Sequence, residues 1–228
     1  MSNKNKSKDK NNRREEIEFR ALESNGRALL DREIIETFLS VVYDSDQALA
    51  IAKNLVDTCQ GIGRILSHET DDLKTIEGMT DSAVAIILCI KETLERVLRE
   101  KLKDVPVIDD LEKLVEYLKV SIGHADKECV KILYLDKKHH LIGEEMYIGT
   151  VDSAPVYIKG IARKALIKNA ASIIISHNHP GGRAEPSDED KAATKGLALA
   201  CSTVDIKLLD HIIITSADYF SFREKGLL

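Results

Sequence analysis

The stretch Ala170-Ala171-Ser172-Ile173-Ile174-Ile175-Ser176-His177-Asn178-His179-Pro180-Gly181-Gly182, followed by Pro186-Ser187-Asp188-Glu189-Asp190, decides the reading of this chain. Its apolar run, Ala170 to Ile175, has the length and β-branching of a buried strand. Residues two apart in an extended chain share a face, so His177 and His179 can aim at one ion while Asn178 points elsewhere. A turn rich in Gly and Pro follows. Pro186-Ser187 then announces a helix through the Ala-rich segment Lys191 to Cys201. Ser187 is its natural N-cap, and Asp190 falls at N3, in the first turn, where the helix dipole favours a carboxylate.

Two imidazoles and one carboxylate make three protein ligands and leave one tetrahedral position for water, the pattern of a hydrolytic rather than a structural zinc site. Zinc held this way lowers the pKa of its water to about 7 and polarises a carbonyl, which predicts amide hydrolysis. Ser187 and Asp190 taken alone are also an ordinary capping arrangement. The specificity lies in the combination H-x-H-x7-S-x2-D, in which strand, His pair, turn and capped helix all have to coincide.

From about Val107 to Leu228 the chain resembles the JAMM (MPN+) metalloprotease domain, and from about Glu18 onward it resembles the bacterial RadC family. The residues that carry the resemblance are His177-Asn178-His179-Pro180, Pro186-Ser187 with Asp190, Gly149-Thr150-Val151-Asp152, Asp210-His211 before Ile212-Ile213-Ile214, and the terminal Phe220-Ser221. It implies an α/β fold: a mixed-sheet JAMM/MPN-like domain with cytidine-deaminase-like layering, preceded by a small all-α helix-hairpin-helix bundle. It also implies His177, His179 and Asp190 as zinc ligands, Ser187 as a donor to the tetrahedral oxyanion, and a glutamate on an earlier strand as general acid/base. The activity implied is a zinc-dependent metallopeptidase or isopeptidase acting on a peptide or protein. An accessory role in DNA repair or recombination, with a non-catalytic metal domain, is the alternative.

The glutamate is the open point. In Leu141-Ile142-Gly143-Glu144-Glu145-Met146-Tyr147-Ile148-Gly149-Thr150 the family strand is one residue short. Counting from Leu141 favours Glu145, whereas counting back from Gly149 favours Glu144. Strand alternation puts the two on opposite faces. Glu145 is the first choice, Glu144 the alternative, and Glu128 stands behind both. A second departure lies at Val156-Tyr157-Ile158-Lys159-Gly160, where the family carries V-Y-P-R-E, so the arginine fork and the acid are missing. His139 and His140, adjacent in a turn, face opposite ways and chelate poorly. His211 reads as a residue supporting the site rather than a ligand.

The expected second domain, residues 107–228, runs helix 108–122, strands 128–136, 141–149 and 156–157, helix 159–169, strand 171–176, helix 187–202, then strands 206–215 and 219–221. Before it, helices over 32–42, 45–58 and 82–101 carry apolar residues at three- and four-residue spacing and make a helical domain over 15–101. Residues 102–106, ending in a proline, are the expected linker. Ile76-Glu77-Gly78-Met79-Thr80 resembles the hairpin of a helix-hairpin-helix, whose backbone N–H groups can meet a DNA phosphate. Thr80 stands in place of its second glycine and Asp81 follows, so only weak DNA binding is expected.

Residues 1–14 are almost entirely Lys, Arg, Asn, Ser and Asp, the composition of a disordered basic tail. The chain of 228 residues has a net charge of −5, which gives it no long-range attraction for phosphate. No run approaches the roughly 18 apolar residues of a membrane helix, and no signal-peptide core is present, which predicts a cytoplasmic protein with no membrane partner. The four cysteines lack C-x-x-C spacing and read as buried free thiols in a reducing compartment. Nothing in the sequence sets the oligomeric state.

Overall fold

The computed structural model describes residues 3–103, 106–149 and 154–228. Thr150, Val151 and Asp152 of the family motif, and residues 104 and 105 of the expected linker, lie outside that range. Contacts divide the chain into two compact units, Met1–Glu92 and Thr93–Leu228.

The first unit is helical: α1 (Asn3–Ser24), α2 (Asp31–Leu39), α3 (Ser45–Cys59), α4 (Ile62–Ser67), α5 (Thr70–Lys74) and the first half of α6 (Asp81–Lys103). The spacing of Ile51, Leu55 and Cys59 on α3 turns one face of that helix inward, and these residues pack with Ile35, Leu39, Leu73, Val84 and Ile87. Asp44 caps α3 by accepting from Asp46 N and Gln47 N. Composition predicts disorder over residues 1–14, but α1 begins within that stretch. Its anchor is Arg13, whose guanidinium forks onto the buried Glu36 at 2.9 and 2.8 Å.

The turn between α5 and α6 is closed from inside the unit. Gly78 has φ +86, and a Cβ there would lie 3.0 Å from Ile51 Cγ1, so the turn presses on α3 as only glycine permits. The Tyr43 hydroxyl donates to Gly78 O at 2.8 Å and accepts from Thr80 N at 2.9 Å. One of the backbone N–H groups that a phosphate would need therefore already has a partner.

Helix α6 runs through the expected start of the linker. Leu98 and Leu102, four residues apart on it, belong to the core of the second unit, which explains why the first compact unit ends at Glu92 rather than at residue 101. In that unit, α7 (Leu111–Leu118) continues into a π-helical turn, Lys119–Gly123. Strands β1 (Cys129–Leu135), β2 (Leu141–Ile148), β3 (Ser172–Asn178), β4 (Lys207–Ile214) and β5 (Tyr219–Ser221) are interleaved with α8 (Ala154–Ile167) and α9 (Asp188–Ser202). They form one mixed sheet in the order β2-β1-β3-β4-β5, in which only β3 and β4 are parallel.

The strand expected at 156–157 is instead part of the first turns of α8. Ile158, Ile161 and Ala165 recur at helical spacing and pack on the sheet, and Pro155 is tolerated in a first turn, where its missing N–H has no intrahelical partner. Alternation along β1 divides the two layers. Leu133 and Leu135 pack with α7, whereas Val130, Ile132 and Tyr134 pack with α8 and α9. Cys59, Cys129 and Cys201 are buried free thiols, but Cys89 is exposed, on the polar side of α6.

Candidate metal centre

Strand β3 extends two residues beyond the expected 171–176, so His177 and Asn178 are still in the sheet. The ladder continues past them, with His179 N donating to Ile214 O at 2.9 Å. Both imidazoles thus leave the carboxyl end of the parallel pair β3–β4, beside the N-terminus of α9. This is where open α/β sheets place chemistry.

Asp190 is brought there by a full capping box. Its N–H donates to Ser187 Oγ at 3.0 Å, while its Oδ2 accepts from Ser187 N at 2.8 Å and from Ser187 Oγ at 2.7 Å. One carboxylate therefore both caps α9 and faces the two histidines. Asp190 Oδ1 lies 3.1 Å from His177 Nε2, and Oδ2 lies 3.5 Å from His179 Nε2. The two Nε2 atoms are 2.9 Å apart. Among the described residues, this trio is a group whose ligand atoms all lie within 4.8 Å of one another.

The donor chemistry of the trio fits zinc. His179 Nδ1 lies 2.9 Å from Arg183 O, which can only accept, so Nδ1 carries a proton and the neutral ring keeps its lone pair on Nε2. His177 Nδ1 faces His211 Nε2 at 2.8 Å, turning its own Nε2 inward as well. Two imidazole nitrogens and a carboxylate then face one point. Zinc bonds of about 2.0–2.1 Å at tetrahedral angles put ligand atoms about 3.3 Å apart, close to the spacing found. His177 and Asp190 are almost fully buried, and His179 is the member open to solvent.

Burial pushes the Asp190 carboxyl up, but its hydrogen bonds to His177 and His179 outweigh this and hold it well below the ordinary range. His179 is raised, first by its bond to Asp190, against burial, and further by the Arg183 carbonyl and the Glu128 charge. Full burial, with the neighbouring His177, keeps His211 well below the usual histidine value.

The structure does not bring Glu145 or Glu144 to this cluster. Glu144 sits opposite Leu133, on the α7 face, where it accepts from the Tyr117 hydroxyl and pairs with Arg99 at 2.7 Å. Glu145 shares the face of His177 but sits opposite Ile132, whereas His177 is level with Val130 and Tyr147. Its Oε2 is held by Lys164 Nζ at 2.6 Å and the Tyr147 hydroxyl at 2.7 Å. Burial raises its pKa, yet those two bonds leave it below the ordinary value.

Glu128 is the acid outside the trio whose charge raises His179. It lies two residues before Val130, which pairs with His177 at the end of the antiparallel β1–β3 ladder. Asn178 fixes that segment. Its Oδ1 accepts from Cys129 N at 2.6 Å, and its Nδ2 donates to Ala125 O and Lys127 O at 3.0 and 3.1 Å. Sequence reasoning passed over Asn178 because it looks outward from a His-x-His pair; its signal is a buried amide in the last residue of a central strand.

His139 and His140 stay in the turn, His140 facing Asp136 at 3.6 Å. His211 stands outside the trio and directly behind His177. No helix among the described residues is long and apolar enough to cross a membrane.

Residues 108–227 match the family model described as the RadC-like JAB domain. Similar proteins include a UPF0758 protein of Variovorax paradoxus, 36% identical over 203 residues, which are 88% of this chain and 90% of that protein. Another is a UPF0758 protein of Neisseria meningitidis serogroup B, 36% identical over 208 residues, 91% of this chain and 92% of the relative. With residues 108–227 matching the family model and 88% and 91% of the chain aligned with these relatives at 36% identity, the chain belongs to the RadC family.

Proposed function

We propose that the chain is a zinc-dependent hydrolase of the JAMM type that cleaves a peptide or isopeptide bond. The observation that carries this reading is the convergence of two imidazole lone pairs and one carboxylate, spaced 2.9 to 3.5 Å apart, at a strand end open to solvent beside His179. Bound by His177, His179 and Asp190, zinc supplies Lewis acidity toward a carbonyl oxygen and hydroxide near neutral pH.

The remaining steps fall to the chain's own groups. Glu128, beside His179, takes a proton from water and hands it to the leaving amine. Glu145 has no part in this, being held by Lys164 and Tyr147. Ser187 Oγ turns from Asp190 to donate to the negative oxygen of the tetrahedral intermediate. Asp190 keeps its bond from Ser187 N throughout, so the ligand does not move when the hydroxyl does.

Cleavage products in cell lysate treated with the parent protein or with His177→Ala test the reading. Products that appear with the parent and not with the variant support it, and identical product sets contradict it.

A further inference from the structure

Behind the metal ligands a chain of hydrogen bonds runs through α9, β4 and β3. Thr194 lies one helical turn after Asp190 on α9, and its hydroxyl donates to Asp190 O at 2.6 Å. A carbonyl only accepts, so the Thr194 proton is committed there and Oγ1 is left to accept. His211 Nδ1, 2.5 Å away, supplies that donor. His211 Nε2 then carries a lone pair and accepts from His177 Nδ1 at 2.8 Å. The His211 ring plane is fixed by Phe222, stacked at 4.8 Å and 11°. Thr194, His211 and His177 are all almost fully buried, so water cannot substitute for any link.

We propose that Thr194 and His211 are positioning residues that set the polarity of this chain and thereby hold His177 with its proton on Nδ1 and its lone pair facing the metal. The proposal rests on the zinc reading above and extends it to residues that touch no metal. With the chain reversed, His211 Nε2–H would donate to His177 Nδ1. The His177 proton would then sit on Nε2, pointing at His179 and Asp190, in the tautomer that cannot bind a cation. Thr194 selects between the two. Valine at that position keeps the shape but leaves His211 Nδ1–H without an acceptor, which drives the proton to Nε2 and reverses the chain.

Zinc affinity, measured by competition with a chromogenic chelator on folded protein, tests this in Thr194→Val and Thr194→Ser. The valine variant is expected to bind zinc about 10- to 100-fold more weakly, the usual consequence of losing a partner behind a metal-bound histidine. The serine variant, which keeps the hydroxyl, is expected to stay close to the parent. Nitrogen NMR of the histidines in zinc-free parent protein is the second readout and needs no variant. His211 protonated on Nδ1 supports the proposal, and protonation on Nε2 overturns it. Parent-like affinity in Thr194→Val, or an equal loss in Thr194→Ser, also overturns it. A parent that takes up no zinc contradicts the metal reading instead, and the NMR spectrum still decides the polarity of the chain.

Discussion

Oε2 of Glu145 lies 2.6 Å from Nζ of Lys164, and this ion pair, rather than the metal cluster, is where that glutamate is used. Glu128, whose charge raises His179, is the carboxylate proposed in its place. Glu128→Gln is expected to keep fold and zinc while losing hydrolysis by roughly 10² to 10⁴-fold, the scale of general acid/base contributions. Glu145→Gln should hydrolyse at close to the parent rate. Steady-state rates on any substrate that the zinc-free protein leaves intact decide between them, and the reverse ranking would restore Glu145.

The convergence of His177, His179 and Asp190 was legible in the sequence because each is fixed by local chemistry: alternation in β3 for the histidines, an N3 capping position for Asp190. The position of Glu145 relative to that trio was not, because it depends on which of two neighbouring strands pairs with β3, a pairing between residues far apart in sequence. Motif spacing pointed to β2, but β1 is the strand hydrogen-bonded to β3, and β2 lies beyond it. The first turns of α8 were misread for a related reason. A short apolar pair carries too few residues to separate a period of two from one of 3.6, and only the continuation through Ile158, Ile161 and Ala165 resolves it.

Asn178 ties β3 to the segment before β1 through three hydrogen bonds. Asn178→Ala leaves the buried Cys129 N–H unpaired, at an expected cost of about 1–3 kcal/mol in denaturant unfolding. Because the same bonds hold Glu128 in place, hydrolysis should fall further than zinc content does. A variant with parent stability and full activity would show that the latch is dispensable.

Glu33 gives the helical unit a dependence on pH. Its hydrogen bond from Arg20, which outweighs burial with help from Leu30 N–H, lowers its pKa in the folded chain. A depressed carboxylate stabilises above its unfolded value, and the gain is lost as pH falls through the folded one. Glu33→Gln should therefore lower Tm at pH 7, and the deficit should persist down to about pH 4 and close below it. Thermal melts of both proteins across that window check the sign; a deficit that grows on acidification contradicts it.

Tyr43 occupies the hairpin that would otherwise offer Thr80 N to a phosphate, and Asp81 pairs with Lys74 at 2.9 Å beside it. The full chain is expected to bind duplex DNA only in the non-specific range, about 10⁻⁴ to 10⁻⁶ M at physiological salt. Nanomolar, sequence-selective binding in a fluorescence titration would show a DNA surface elsewhere on the chain.

The most direct test of the metal centre is elemental analysis of the purified parent protein beside His179→Ala. His179 is the solvent-facing ligand, so its loss disturbs packing least while removing one of three donors. The account predicts about one zinc per parent chain and a large loss in the variant, with fold retained by circular dichroism. Full zinc retention in a folded His179→Ala protein would contradict it.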